Sequence, residues 1–538
     1  MNNRSYLLAI ALVCLAIFFP HLSVVEVNIM EARNFITARE MLDYGNWIHT
    51  TMNLEPRYEK PPLPTWMTAV SGAVFGMKSL FGLRLPAVLS VVFLIFTFYY
   101  LGIQILQDKK QAFIGTLILA TSFYIIFSGR NGQWDIFAHA FMLFAIFQLF
   151  KAFETDQKAW RSWLLAGLFL GFSFMSKGPV SLFALLLPFL ISYGIVYKYK
   201  DFSKKITPLI SSLLVFSIVG FTWGAYIYFT DTSSAEVIAD KETLAWSNRS
   251  VKPFYHYWSF FTQSGAWTYF SFLALLYPFM IKRVENKKLY QFSLFWTLAA
   301  VILLSLIPEK KERYLLPVLI PLAMNTSFYI YYLIRKSKEL LKIDIYLANF
   351  GFGLIGMIGL IFPFGVYFFF EGQISPHWVS FFLSSATLFS LGILIFIWLR
   401  KKAFEKCFYG MILLLCSIVL FAFPMAELTY DNEQYLSLSE FRNMDGMKDL
   451  EIYSTAKSIP RPELIYDLGE PMKRIKTVDQ LPQSGEFALF VYDSIPQTIQ
   501  HHFKAEFKAQ FDINNLQEGK SGHKKLKTMK LYVLEKTE

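Results

Sequence analysis

Three carboxylates and four cations stand in short polar stretches between the long apolar runs of this 538-residue chain. The carboxylates are Glu31, Glu59 and Asp135, and the cations are Lys60, Lys177, Lys310 and Arg313. A carboxylate can remove the proton from an acceptor hydroxyl, and cations can stabilise the negative charge that develops on a departing phosphate. These residue types therefore predict transfer of a group from a phosphate leaving group.

The densest polar stretch covers residues 31–62, directly behind the first apolar run. Its charges include Glu31, Arg33, Arg39, Glu40, Glu59 and Lys60. Charges placed beside apolar segments cost free energy, which indicates a functional reason for them. We expect Glu31 to activate the acceptor, with Glu59 and Asp135 in supporting roles. Apolar residues at roughly helical spacing between positions 35 and 47 predict an amphipathic helix that lies on the membrane surface.

The remaining composition predicts an all-α, multi-pass membrane protein. The chain is 54% hydrophobic, and apolar runs of about 20 residues recur as far as residue 425. The net charge of +11 comes from short Lys and Arg clusters between these runs, so we expect no nucleic-acid partner. Cys14, Cys407 and Cys416 all fall inside predicted spans, which leaves no disulfide framework.

The short apolar segment 63–80 decides the predicted topology. If this segment crosses the membrane, the basic loops that follow it mostly fall outside. If it lies at the interface instead, all of these loops fall inside, as the positive-inside rule favours. We therefore expect a cytoplasmic N-terminus, an outer chain end and about thirteen spans. The predicted spans lie near 6–25, 84–105, 112–129, 135–152, 162–176, 179–196, 207–230, 264–281, 289–307, 314–334, 344–369, 376–399 and 407–425.

Residues 427–538 are more polar and predict a small soluble α/β domain on the outer side. Alternating runs at 450–453, 487–492 and 530–534 have the pattern of strands. Residues 1–426 then form the transmembrane domain, with 26–83 as its first outer, catalytic loop.

Charged outer loops are informative because such loops are usually poor in Lys and Arg. Lys310, Lys311 and Arg313 precede Tyr314 in one short connection, which predicts a phosphate-binding cluster. A solvated loop is the alternative. Lys177 stands before a helix-breaking Gly-Pro, where a buried lysine needs a partner, although a lysine that only marks the interface would look the same.

Two further outer segments carry candidate residues. Arg130 to Asp135 form a short turn, and Asp135 opens the next helix, where the helix dipole alone would favour a carboxylate. Lys252 and His256 stand among aromatic residues, which fits either an interfacial anchor or a wall for a lipid-linked substrate. Asp135 and Glu59 could share a divalent metal ion with a phosphate, and no organic cofactor is expected.

Five motifs in this order resemble the aminoarabinose transferase and protein mannosyltransferase group of membrane glycosyltransferases. They are EARNFITAREML (31–42), YEKPP (58–62), RNGQWD (130–135), KGP (177–179) and KERYLLP (311–317). The resemblance implies a GT-C fold with interfacial helices in the first outer loop, a polyprenyl-phosphate sugar donor and a lipid, glycan or protein acceptor. It also implies a bacterial-type inner membrane and contact with its lipids.

By this resemblance, Glu59 and Lys60 line the active cavity, Asp135 helps to hold a metal or the acceptor, and Lys177 and Arg313 face the lipid phosphate. Together with the charge pattern, it gives a set of expected substrate-binding residues. They are Arg33, Lys60, Arg130, Lys177, Lys252, His256, Lys310, Lys311, Arg313 and Tyr314.

One position departs from the family pattern. The family has an Asp-Glu pair after its first span, and this chain has Met30-Glu31. Glu31, Glu26 or a group elsewhere must then supply the base. A transporter or flippase of lipid-linked sugars is the alternative function, although we see none of the duplicated halves that many transporters show. A non-catalytic scaffold or sensor is the third.

Overall fold

The protein, described here from a computed structural model, consists of a bundle of apolar helices followed by a small mixed sheet. The structure describes residues 3–155, 158–248 and 250–536. The helices before the sheet are α1 (Asn3–Phe18), α2 (Ile29–Tyr44), α3 (Leu63–Phe75), α4 (Leu80–Leu106), α5 (Lys109–Ala120), α6 (Phe123–Gly129), α7 (Asp135–Glu154), α8 (Trp160–Lys177), α9 (Leu187–Tyr197), α10 (Ile206–Thr230), α11 (Thr232–Asn248), α12 (Thr268–Leu275), α13 (Tyr277–Met280), α14 (Lys287–Leu306), α15 (Leu319–Arg335), α16 (Lys342–Phe369), α17 (Trp378–Arg400) and α18 (Phe404–Ser417).

Within the described residues, eight helices are long and apolar enough to cross a membrane, or nine if the bent pair α5 and α6 counts as one span. The multi-pass helical architecture is therefore confirmed, but the count of thirteen spans is not. The apolar α1 and the helix Leu182–Tyr197 are shorter, and the segment predicted near 264–281 is broken into short helices.

The 65° bend between α5 and α6 has a local cause. The hydroxyl groups of Thr121 and Ser122 donate hydrogen bonds to carbonyl groups one turn earlier, those of Leu117 and Ile118. Such side-chain bonds compete with the backbone ladder and bend helices. The bend directs α6 towards the turn that precedes α7.

Segment 63–80 does not form a span. Its helix α3 has 13 residues, about 20 Å, which is too short for a hydrocarbon layer of roughly 30 Å. The helix packs instead on α2 and α4.

Helix α2 differs from the amphipathic surface helix that the sequence predicts. Asn28 and Glu31 form a capping box at its start, and Gly45 ends it in the left-handed conformation. Its buried residues include the charged Glu31, Arg39 and Glu40 as well as apolar ones. The C-terminal domain packs against α2, which accounts for part of this burial.

The strands of the protein form two separate sheets. The first outer loop contributes a two-stranded hairpin, β1 (Thr51–Met52) and β2 (Glu55–Pro56). The C-terminal domain contains β3 (Ile452–Thr455), α19 (Pro462–Leu468), β4 (Lys473–Ile475), β5 (Phe487–Val491), α20 (Gln497–Gln500), β6 (Phe503–Asp512) and β7 (Thr528–Lys536). Its five strands form a mixed sheet in the order β4-β3-β5-β7-β6, in which β3 is parallel to β4 and β5, and β7 is antiparallel to β5 and β6. Strands β3, β5 and β7 confirm the three predicted strands.

The C-terminal domain is docked on the first outer loop. The Asn53 side chain exchanges two hydrogen bonds with the Met472 backbone, each 2.8 Å long. The Phe35 and Tyr466 rings lie 5.5 Å apart, and the Arg39 guanidinium donates to a carbonyl of α19 at 3.3 Å. The loop predicted to be catalytic is therefore enclosed between the helical bundle and this domain.

Candidate active site

A buried ion pair lies at the centre of the candidate site. Asp135 is the first residue of α7 and Lys177 is the last residue of α8, and the Lys177 ammonium binds Oδ1 of Asp135. The pair is almost fully buried, with 1% of Asp135 and 6% of Lys177 exposed. Each charge also has the sign that its helix end favours, since a helix N-terminus attracts anions and a C-terminus attracts cations.

Further predicted residues surround this pair. The charges of Arg313 and Lys60 lie close enough to Lys177 to act on it. The Lys177 ammonium is 5.6 Å from the centre of the Tyr314 ring, and the Arg313 guanidinium is 5.7 Å from the same ring. The structure therefore brings Asp135 together with cations that lie as many as 253 residues apart in the sequence.

Several polar atoms of this site have no hydrogen-bond partner in the part of the chain that the structure describes. They are Oδ2 of Asp135, Oε2 of Glu59 and Nε of Arg313, all of them buried. Most buried polar atoms in folded proteins are paired. A group of unpaired acceptors and donors around one ion pair is what a site for a polar ligand requires.

Helix α2 holds the turn that leads into Asp135. Oε1 of Glu31 accepts a hydrogen bond from the Gly132 amide at 2.8 Å, and the Asn34 side chain donates to the Gly132 carbonyl at 2.8 Å. A Cβ atom on Gly132 would lie 2.5 Å from the Phe35 ring, so the close approach of helix and turn requires glycine. The turn is thus fixed through both the N–H and the C=O of one residue, Gly132.

The Glu31 carboxylate has no free position for an acceptor proton. Arg84 donates to both of its oxygens, at 2.8 and 2.9 Å, and Asn28 donates to Oε2 at 2.9 Å. Glu31 is 0% exposed and Arg84 is 2% exposed. Its catalytic role remains a prediction, but the contacts favour a positioning role. Arg84 was missed by the sequence analysis, although a lone arginine at the edge of an apolar run was the available signal.

Comparison with known proteins supports the same architecture. A family model for dolichyl-phosphate-mannose-protein mannosyltransferases matches residues 59–223, which include Glu59, Lys60, Asp135 and Lys177. The undecaprenyl phosphate-α-4-amino-4-deoxy-L-arabinose arabinosyl transferase of Shewanella sediminis is 24% identical over 73% of this chain and 72% of its own length. The corresponding transferase 2 of Proteus mirabilis is 24% identical over 67% of this chain and 66% of its own.

Two solved structures share the fold over the whole chain. The crystal structure of ArnT from Cupriavidus metallidurans bound to undecaprenyl phosphate aligns with a TM-score of 0.70 at 13% identity, over 99% of this chain and 98% of that one. Its apo form aligns with a TM-score of 0.66 at 14% identity, over 98% and 97%. The chain has the fold of these GT-C membrane glycosyltransferases, and its sequence is similar to the aminoarabinose transferases and to the protein mannosyltransferase model.

Glu59 and Lys60, from the second motif of this glycosyltransferase, face helix α11. Lys60 forms an ion pair with Glu242 at 3.1 Å, and Lys241 lies 3.5 Å from Glu59. These side chains are partly exposed, so the pairs are weak and can be exchanged for a ligand. Arg249, which follows α11, lies outside the described residues.

Arg57 is a second residue that the sequence analysis missed. Its guanidinium donates a hydrogen bond to the Thr37 hydroxyl at 2.9 Å, and its Cζ lies 4.8 Å from the centre of the Trp134 ring. Burial lowers the pKa of Arg57 to about 10, while the charge of Glu59 opposes the shift and that of Arg33 adds to it. Arg57 thus links the first outer loop to the turn before Asp135 and lies near Glu59 and Arg33.

Arg130 has contacts that fit a structural role. Its guanidinium donates to the carbonyls of Ile17 and Pro20 at 2.6 Å and to that of His21 at 3.2 Å. These carbonyls lie at and beyond the end of α1, where helical carbonyls lack partners. Its predicted role in substrate binding has no support from these contacts.

Four other predicted residues form a second cluster between segments 250–256 and 308–314: Lys252, His256, Lys310 and Lys311. Lys310 donates to the carbonyls of Lys252 and Ile307, at 3.1 and 2.6 Å, and burial lowers its pKa. Lys311 binds Glu309, and His256 lies 3.2 Å from Glu312. These contacts join the two outer segments to each other, so a direct phosphate contact by these residues stays a prediction.

The carboxylates proposed for a metal ion do not fit one. Across the described ranges, no group of three or more His, Cys, Asp or Glu side chains is arranged to hold a metal. Asp135 already binds Lys177, and Glu59 faces Lys241. The nearby cations would repel a divalent ion. We therefore derive no step of the reaction through a metal.

Proposed function

We propose that this glycosyltransferase moves a sugar from undecaprenyl phosphate to a lipid, glycan or protein acceptor at the outer face of a bacterial inner membrane. The observation that carries the proposal is the buried Asp135–Lys177 pair, with Lys177 and Arg313 both close to the Tyr314 ring. The names of the Shewanella and Proteus relatives make undecaprenyl phosphate-α-4-amino-4-deoxy-L-arabinose the first donor to test.

The cations are assigned to the phosphate of the donor. Lys177 is held by Asp135, and the unpaired Nε of Arg313 can donate to a phosphate oxygen. Lys60 can exchange the Glu242 carboxylate for the phosphate, because that ion pair is partly exposed. In the reaction these cations stabilise the second negative charge that the polyprenyl phosphate gains as it leaves.

Glu59 is the carboxylate best placed to activate the acceptor. The Glu31 oxygens already accept hydrogen bonds from Arg84 and Asn28, and Asp135 is buried in its ion pair with Lys177. Its Oε2 is buried and unpaired, but the Glu59 side chain as a whole is 22% exposed, and its Oε1 lies 3.5 Å from the exposed Lys241. It can therefore be reached by an acceptor hydroxyl, and it compensates for the missing acid at Met30.

The proposed reaction is a single displacement. Glu59 takes the hydroxyl proton, the acceptor oxygen forms a bond to the anomeric carbon, and the bond from that carbon to the phosphate oxygen breaks. The polyprenyl phosphate leaves with the electron pair. Because the attack and the departure occur on opposite faces of the sugar, the configuration at the anomeric carbon inverts.

The orientation is part of the proposal. The N-terminus lies in the cytoplasm, and the C-terminal domain lies outside, on the side of the candidate site. This arrangement is supported by the basic loops, which all fall inside when α3 is left out of the membrane. Accessibility labelling of single cysteines in the C-terminal domain of intact spheroplasts tests it, and protection of all such cysteines would contradict it.

A donor panel tests the function. Purified protein in lipid nanodiscs is incubated with undecaprenyl-phosphate sugars and with extracted envelope lipids, glycans or proteins, while free undecaprenyl phosphate and labelled acceptor are measured. We expect one donor to release lipid phosphate in step with acceptor labelling, and Glu59→Gln to abolish both. Release from none of the donors, together with movement of intact donor across vesicles, would favour a flippase instead.

A further inference from the structure

Three residues spaced four apart, Ser173, Lys177 and Ser181, contact the first turn and a half of α7. Ser173 and Lys177 lie one turn apart on α8 and share a face, and Ser181 follows the end of that helix. Lys177 contributes the ion pair to Asp135, and the two serines lie on either side of it along the chain. Both serines are 0% exposed.

Each serine makes a hydrogen bond to α7 just below Asp135. The Ser173 hydroxyl donates to the Ala138 carbonyl at 2.8 Å. The Ser181 hydroxyl is 2.9 Å from Nδ1 of His139, which is 1% exposed. His139 lies one helical turn from Asp135, so the bond from Ser181 runs beside the ion pair on the same face of α7.

The chain breaks between these two anchors. Lys177 ends α8, Gly178 has a positive φ of 68°, and the helix after Pro179 begins with a π-helical stretch, Leu182–Leu186. Lys177 therefore has regular helix on one side only. A flexible lysine at such a break keeps a defined position only if the chain is held before and after it.

We propose that Ser173, Ser181 and His139 are positioning residues that hold the Lys177 ammonium at the donor phosphate. This inference rests on the proposed function, because it assigns the phosphate to Lys177. The hydrogen bonds fix how far α8 and the following helix are shifted along α7. A displacement of about 1 Å at a reacting group can cost 10²-fold in rate, which gives these bonds a role in catalysis.

A role in folding alone makes a different prediction. Hydrogen bonds between membrane helices are modest contributions to stability on average. If Ser181 and His139 only stabilised the bundle, their removal would lower the melting temperature and leave the folded enzyme's KM for the donor unchanged. The two roles therefore separate in the kinetics of the folded fraction.

The test removes each hydrogen bond with a small truncation. Ser181→Ala and Ser173→Ala are compared with Ser192→Ala, a matched control in which a fully buried serine bonds to the Pro188 carbonyl of its own helix. We expect the first two to lower kcat/KM about 10- to 100-fold, mainly through the donor's KM. The control should retain wild-type kinetics.

Two substitutions of His139 sharpen the test. An Asn side chain places its amide near the position of Nδ1, whereas a Gln side chain places it near Nε2. His139→Asn should therefore keep the bond to Ser181 and most of the activity, and His139→Gln should resemble Ser181→Ala. Equal kcat/KM in both variants, or wild-type values in Ser181→Ala and Ser173→Ala, would overturn the proposal.

Binding of undecaprenyl phosphate, measured without any transfer, separates this inference from the proposed function. If the wild type binds the lipid and the serine variants bind it equally well, the positioning role is wrong and the function stands. If the wild type neither binds the lipid nor transfers any sugar, the proposed function fails. Weaker binding in the serine variants by 10-fold or more, with normal binding in Ser192→Ala, supports positioning.

Discussion

At the scale of single residues, the three candidate carboxylates differ most in what surrounds them. Both oxygens of Glu31 accept hydrogen bonds, Asp135 is buried and bound to a lysine, and Glu59 is partly exposed with only a long ion pair to Lys241. The sequence pattern predicts Glu31 as the base, with Glu59 and Asp135 in supporting roles. From their contacts we propose a different division: Glu31 positions the turn, Asp135 orients Lys177, and Glu59 acts on the acceptor.

Glu59→Gln is expected to lower kcat by about 10²- to 10⁴-fold, the usual contribution of a general base. The substitution keeps the shape of the side chain, and Glu59 has only a long, exposed ion pair to lose. Stability should therefore stay close to that of the wild type, as measured by thermal unfolding in the same detergent. Full activity in this variant would mean that Glu31, Glu26 or Asp135 acts as the general base instead.

Glu31→Gln is expected to destabilise the protein. It leaves the nearly fully buried Arg84 without its charge partner, and breaking a buried pair from one side costs about 3–5 kcal/mol. Denaturant unfolding measures this loss, with Glu59→Gln as the matched control. A Glu31→Gln variant with wild-type stability but no turnover would show that Glu31 is the catalytic carboxylate after all.

At the scale of elements, α2 is the support on which the site is built. One of its faces holds the turn before α7, and another contacts α19 of the C-terminal domain. A helix with both faces covered can bury charged side chains, provided that each finds a partner. Glu40 does so by accepting hydrogen bonds from Thr51 and from the Asn53 amide, both at 2.6 Å.

Gly132→Ala tests the contact between α2 and the turn. The added Cβ would overlap the Phe35 ring, and overpacking of this kind costs about 1–3 kcal/mol. Because the turn carries Asp135, we expect activity to fall together with stability. The double variant Gly132→Ala, Phe35→Leu removes the overlapping ring atoms and should recover part of both. No recovery would mean that the backbone, and not the ring, sets the requirement for glycine.

At the scale of the whole molecule, the C-terminal domain closes over the first outer loop. Asn53 joins the two through its pair of bonds to Met472, and Lys527 adds an ion pair of 2.7 Å to Glu26. These contacts place the soluble domain on the same loop that supplies Glu59 and Lys60. The domain therefore contacts α2 and the loop from which Glu59 and Lys60 come.

Asn53→Gly is expected to loosen this docking. Asn53 has a positive φ of 57°, which glycine adopts without strain, so the substitution removes the two side-chain bonds and preserves the turn. We expect faster proteolysis between α18 and β3 and a several-fold lower kcat/KM. Asn53→Asp, which keeps the acceptor for the Met472 amide, serves as the intermediate control. Unchanged proteolysis and turnover would show that docking does not depend on this residue.

The sequence by itself determined the membrane class, the order of the family motifs, the strands of the last domain and the cations around Lys177. Hydropathy and strand alternation are local patterns, which can be recognised from the sequence alone. The partners of buried charges are not local: Arg84 is 53 residues from Glu31, and the cover over α2 comes from the other end of the chain.

Only the tertiary structure showed how each candidate carboxylate is paired. A sequence motif gives the type of a side chain but not the groups that donate hydrogen bonds to it. At Glu31, these donors come from three separate segments of the chain. The tertiary structure also showed that the polar face of α2 is buried and that the predicted metal ligands are paired with lysines. Each of these outcomes depends on long-range packing, because a buried charge is stable only where distant parts of the chain supply its partner.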